Sequence, residues 1–158
     1  MPSVSVVHAI GMLSTLTIFM IISVASVIYV SSMTQVVVKS QLEEVAARVS
    51  TTIVDLTVLA ANSKSESLVI EKRVNVPASL NDNAYSVLLM ESDGMWKVVA
   101  RLDSQPTVSG EAVLWDESSQ TLKVIPTVVP TGKPLIVRCE KTIVDGNLSI
   151  TVQILMGG

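Results

Sequence analysis

The spacing of apolar and polar side chains divides the chain into three regimes. From Val4 to Val30, 19 of 27 residues are apolar, with no charge and no proline. About 20 such residues are enough to cross a bilayer as a helix, the conformation that keeps backbone polar groups paired in lipid. Beyond Val30 the pattern changes without breaking. Leu42, Val45, Val49, Thr52, Leu56 and Leu59 recur at spacings of three and four, while Glu43, Glu44, Arg48 and Asp55 fall off that line. This is a heptad-like seam. Apart from Gly11, no Gly or Pro interrupts the chain between Pro2 and Pro77, and Asn62-Ser63-Lys64-Ser65 suits a helix stop. The spacing therefore predicts one helix from about Val4 to Ala61, roughly 87 Å long at ~1.5 Å per residue. Only about a third of that length is needed inside a membrane. The seam has two candidate partners, the chain's own β domain or the same helix of other subunits.

From Ser67 onward the period becomes two. Leu68, Ile70 and Lys72 alternate with Val69, Glu71 and Arg73. Further strands are predicted at 84–91, 95–102, 111–116, 120–125, 134–142 and 148–155. Glu91-Ser92-Asp93-Gly94 and Asp145-Gly146-Asn147 read as hairpin turns, and 106–110 and 126–134 as longer connections. The last hairpin is clearest. Leu148, Ile150, Val152 and Ile154 share one face, matched on the preceding strand by Leu135, Val137 and Cys139. Seven short strands at this spacing predict a small antiparallel β-sandwich or open barrel. The expected fold class is α+β, with a helical region at 1–61 and a β domain at 62–158.

Charge sharpens this division. No Lys, Arg, Asp or Glu precedes Lys39, and the net charge is -3. The uncharged head must be covered by lipid or protein, and a nucleic-acid partner is not expected without a basic cluster. A cleaved secretory signal would have a basic start and a shorter apolar core, which this head lacks. The head also carries Ser14, Thr15, Thr17, Ser23, Ser26, Ser31, Ser32 and Thr34 beside Gly11, a composition that favours close helix packing over plain anchoring.

Candidate chemistry is sparse. The one histidine, His8, lies in the apolar head without a nearby Asp, Glu or Cys, and reads as a neutral hydrogen-bonded side chain. The one cysteine, Cys139, excludes an intrachain disulfide and reads as a buried structural thiol. Trp96 and Trp115 fall on strands and are expected to pack on the core. Asp82, Asp93, Asp116 and Asp145 fall in predicted turns, where Asp is favoured for local hydrogen bonding rather than calcium. No phosphate loop, zinc spacing or calcium loop is present, so neither an enzyme nor a metal or other cofactor is expected. Asn147-Leu148-Ser149 is a sequon, making Asn147 a candidate N-glycosylation site.

Two stretches carry a family resemblance. One is His8-Ala9-Ile10-Gly11-Met12-Leu13 leading into the apolar run. The other is Val74-Asn75-Val76-Pro77-Ala78-Ser79-Leu80-Asn81-Asp82-Asn83-Ala84-Tyr85-Ser86-Val87, a proline-containing lead-in to the first hairpin. With the overall layout, they resemble the archaeal type IV pilin superfamily. That resemblance implies a subunit held in the membrane by its helix, then extracted so that helices bundle into a filament core decorated by β domains. Adhesion or motility would follow, as a pilin or archaellin-like homopolymer at the cell surface, glycosylated at Asn147. The polymerisation and membrane element would be Val4–Val30, with Val4, Ile10, Leu13, Leu16, Phe19, Ile21, Val24 and Ile28 as its bulky members. Copies of itself, the membrane before assembly, and S-layer or other envelope proteins are the implied partners. Family precursors carry a basic leader that a peptidase removes. Here nothing basic precedes Lys39, so the numbering describes either a processed chain or an unprocessed relative. Bacterial members place Glu at the fifth residue, where this chain has Ser5. The competing expectation is a single-pass membrane-anchored envelope protein with a β-sandwich interaction domain, similar to the stator-like proteins of the archaellum; a membrane-anchored enzyme ranks third.

Overall fold

A computed structural model describes residues 4–116, 122–144 and 147–157, excepting the side chains of residues 4, 5, 116 and 144. Helix α1 runs Val4–Asn62 and is followed by eight strands: β1 Ser67–Val74, β2 Tyr85–Ser92, β3 Met95–Leu102, β4 Ser109–Asp116, β5 Leu122–Val124, β6 Thr127–Pro130, β7 Leu135–Val144 and β8 Asn147–Met156. By packing, the chain forms two compact units, Met1–Val37 and Val38–Gly158. The secondary-structure boundary lies at the end of α1, but residues 38–62 of the helix pack as part of the second unit.

Within that unit the strands form two four-stranded sheets, ordered β1-β7-β8-β5 and β4-β3-β2-β6. The fold is α+β, as the change of period from 3.6 to two requires. Antiparallel pairing prevails, from Ser67↔Thr142 to Val74↔Leu135 between β1 and β7 and from Tyr85↔Leu102 to Ser92↔Met95 between β2 and β3. The β2–β3 turn uses positive φ at Asp93 and Gly94, the backbone that a two-residue hairpin needs to match strand twist. The β7–β8 hairpin pairs Val144 with Asn147; the expected turn residues Asp145 and Gly146 lie outside the described residues.

Three expectations need correction. First, the connection expected over 126–134 contains β6, paired with β2 through Val87↔Val129 and Leu88↔Val128. Pro126 and Pro130 read as loop punctuation, yet proline is compatible with an edge strand that donates no bond on its outer side. Second, β5 is only three residues long and runs parallel to β8, through Leu122↔Ile150 and Val124↔Val152. It leads directly into the other sheet, so its partner is not its neighbour in sequence; the expected start at Gln120 lies outside the described residues. Third, Leu59 is not on the buried seam: it is 59% exposed, and Ala60 is fully buried instead. A strict seven-residue pattern drifts around a straight helix by ~20° per heptad, so after Leu56 the 3.6 period returns at Ala60.

The core is one cluster drawn from α1 and both sheets. Leu42, Val49, Ile53 and Ala60 of the helix meet Val137, Cys139 and Val152 of one sheet and Tyr85, Val87 and Val98 of the other. Ser50 Oγ donates to the Val113 carbonyl of β4, and Arg48 donates to the Asn75 carbonyl just after β1. The helix thus touches both sheets. At Gly110 on β4 the approach is closest: a Cβ there would collide with the backbone of Leu42 and Glu43. Only glycine lets the strand lie this near the helix.

The end of α1 is fixed by side chains. Asn62 Nδ2 donates to the Val58 carbonyl, and the Ser63 amide donates to the Leu59 carbonyl. Lys141, buried at 3% exposure, donates from Nζ to the Ser63 carbonyl at 2.6 Å and to the Ala61 carbonyl at 3.5 Å. A cation at a helix C-terminus satisfies orphan carbonyls and complements the negative end of the macrodipole.

Candidate membrane and assembly helix

The unit that lacks a core of its own is the first half of α1. Every described side chain from Val6 to Val37 is exposed. Ile10, Leu13, Leu16, Phe19, Ile21, Val24 and Ile28 all stand open, Phe19 at 70% and none of the seven below 58%. They point in all directions around the axis rather than along one stripe. A helix that is apolar on every side is one made to be surrounded. Val4 opens the helix, but its side chain lies outside the described residues.

The local chemistry suits such surroundings. Ser14, Thr15, Thr17, Ser26 and Thr34 each donate their hydroxyl to the carbonyl four residues earlier, at 2.8–2.9 Å. These hydroxyls are satisfied within the helix and can enter an apolar medium without an unpaired donor. At Gly11 a Cβ would meet nothing within 4 Å, so its smallness answers no demand of its own chain. His8 is exposed and bonded to no other described side chain. The helix reaches a mean hydropathy of 2.2 in a stretch with no burial, which is long and apolar enough to cross a membrane. Residues 6–37 would extend about 48 Å at ~1.5 Å per residue, against ~30 Å of hydrocarbon.

The seam residues Leu42, Val45, Val49 and Leu56 have the opposite fate. All four are buried in the second unit, together with Thr52. Of the two partners the spacing left open, the chain's own β domain takes this face. Val38, Ala46, Ile53 and Ala60 complete it, a broader stripe than a heptad seam, because a sheet covers more of a helix than another helix does. The off-seam residues Glu43, Glu44, Arg48 and Asp55 are exposed, and Glu44 pairs with Arg48 at 2.9 Å.

Among the described residues of the β domain no three His, Cys, Asp or Glu side chains gather as a metal site. Cys139 is fully buried. Burial pushes its thiol up from the ordinary value, while a side-chain hydrogen bond with Thr57 acts in the opposite direction. Trp96 and Trp115 pair across β3 and β4 and pack on the core. Tyr85 is fully buried, and its hydroxyl donates to the Pro77 carbonyl, tying down the lead-in to β2. Desolvation pushes its pKa up to about 12. Asn147 is exposed at the start of β8.

No family model, curated protein or solved structure matches the chain.

Sequence reasoning missed Lys141 and Gly110. The first had a visible signal, since it follows Leu135, Val137 and Cys139 on the inward alternation of β7. The second had none, because a close approach of backbone to backbone depends on which strand comes to lie on the helix.

Proposed function

We propose that this chain is a structural subunit of an extracellular filament like those of the archaeal type IV pili, serving adhesion or motility. Before assembly α1 would anchor it in the membrane; in the filament, copies of the same helix would replace the lipid. One observation carries the reading. The uncharged helix surface over residues 6–37 is open on all sides and exceeds the hydrocarbon thickness by more than ten residues. Lipid alone leaves part of it uncovered, whereas a bundle of its own kind covers all of it. Internally satisfied hydroxyls and Gly11 support close approach of helices. Asn147, exposed on the β domain, is the candidate glycan site.

A second reading is favoured by the fate of the seam. Because Leu42 to Leu56 are used by the chain's own domain, only the first half of α1 remains for other copies. A single-pass anchor presenting the β domain to an envelope partner would need no more.

Shearing cells and pelleting the released material without detergent separates the two. A filament subunit is recovered as the major protein of the pellet, and Ile21→Asp, which puts a charge into the apolar surface, removes it from that pellet. Retention of the unsubstituted chain in the membrane fraction until detergent is added defeats the filament reading.

A further inference from the structure

The uncharged helix surface over residues 6–37 is about 48 Å long, more than a bilayer can take in upright. Tilting all of it into ~30 Å of hydrocarbon needs an angle of about 50° from the membrane normal, beyond the ~0–40° at which spanning helices lie. Part of the run must therefore stand outside the hydrocarbon. Polar side chains decide which part. Apart from the Ser and Thr hydroxyls, three side chains in the run carry polar groups: the His8 imidazole, the Tyr29 phenol and the Gln35 amide. All three are exposed, and none is bonded elsewhere among the described residues.

Their spacing matches a bilayer. Twenty-one positions separate His8 from Tyr29, about 32 Å along a helix that rises ~1.5 Å per residue, which is the thickness of the hydrocarbon itself. Between them lie only apolar side chains, Gly11 and five hydroxyls. Four of those five, on Ser14, Thr15, Thr17 and Ser26, already donate to a carbonyl of the same helix. His and Tyr each join an apolar ring to a polar tip, so they can keep the ring in the hydrocarbon and the tip in the wet headgroup layer. Other registers cost more. Moving the hydrocarbon window toward Val37 buries the Tyr29 hydroxyl and then the Gln35 amide, and moving it the other way buries the His8 imidazole.

We infer that α1 sits in a lipid bilayer in one register, with residues 9–28 in the hydrocarbon and His8 and Tyr29 marking its two boundaries. The inference rests on the membrane-anchored state that both readings of α1 share, and it adds which part of the helix the lipid covers. The headgroup layers, each ~5–7 Å deep, then take Val6–His8 on one side and Tyr29–Met33 on the other. Gln35, Val36 and Val37 lie beyond the bilayer. They are the part of the uncharged surface that lipid leaves open.

The test uses the full chain in phosphatidylcholine vesicles with ~30 Å of hydrocarbon. Leu13→Cys, Leu16→Cys, Phe19→Cys, Ile22→Cys and Ala25→Cys, made singly, each carry a thiol-linked fluorophore; native Cys139 is fully buried and stays unlabelled. Quenching by lipid brominated near the ends of its acyl chains marks the midplane of the bilayer. It should peak at Phe19, beside the midpoint of residues 9–28. A peak at Ile22 or later means that the whole run from 6 to 37 is centred in the lipid, which overturns the register and leaves both readings of α1 standing. Tyr29→Leu should move the peak toward Ile22, and His8→Leu should move it toward Leu16. A peak that neither substitution moves also overturns the inference, because the depth is then set by something else. Absence of quenching at all five positions overturns the register and membrane anchoring together.

Discussion

The two halves of α1 are chemically opposite. Residues 6–37 are uncharged and exposed on every side, whereas residues 38–62 bury a broad stripe in a β domain and show charges on the other face. Both halves are rich in Val, Ile and Leu, so apolar content alone does not distinguish them. The difference lies in where polar residues fall. In the second half Glu43, Glu44, Arg48 and Asp55 leave one stripe free, which marks a helix with an inside and an outside. The first half places no charge anywhere and thereby has no outside to show to water. A helix can thus carry two separate instructions, one read by its own fold and one read by its surroundings.

Paired alanine substitutions test that division most strongly. Ile53→Ala opens a cavity at a fully buried site and should lower the stability of the second unit by about 2–5 kcal/mol. Ile18→Ala, at a residue 58% exposed on the other half, should leave it unchanged. Denaturant unfolding of the full chain in detergent, followed by tryptophan fluorescence from Trp96 and Trp115, reads both. Equal losses would mean that the first half is also part of the domain core. A smaller effect is expected from Gly110→Ala, where the added methyl must push β4 from the helix backbone. Overpacking of this kind costs about 1–3 kcal/mol. An unchanged midpoint would show that the close approach is not needed.

The weakest effect is a pH dependence confined to the domain beneath the docked half. The Tyr85 phenol is held neutral to about pH 12, above its ordinary value of 10, because burial disfavours the phenolate. The folded-state pKa is the raised one, so this contribution is complete below pH 10 and is lost as pH rises from 10 through 12. Unfolding midpoints across that interval should fall more steeply for the native chain than for Tyr85→Phe. Parallel slopes would remove Tyr85 as the cause.

The helix was legible because nothing between Gly11 and Pro77 breaks it, and its docked stripe because Leu42, Val45, Val49 and Leu56 repeat at helical spacing. What covers that stripe was not legible, since an apolar seam looks alike whether a sheet or another copy meets it. The register decided Leu59 against Ala60, and the small side chain of Ala60 gave little hydropathy signal. Strand β6 was hidden by the prolines at its ends. Lys141 was visible as an inward position on β7, but its partner was not, because an ammonium group there makes sense only when helix carbonyls wait for it. The exposed helix was legible throughout, since its meaning lies in the absence of charge.

The docking of residues 38–62 also has a mechanical consequence. A domain hung on a linker peels open when pulled, breaking one row of contacts after another. Here the pulled element is part of the core. Tension along the docked segment shears the whole stripe from Val38 to Ala60 at once against both sheets, with the Gly110 approach gripping it near one end and the Lys141 ammonium near the other. Forced unfolding is governed by the barrier rather than by the equilibrium stability. Loading many contacts in parallel raises that barrier, so a pull on the docked segment is resisted by the domain core as a whole.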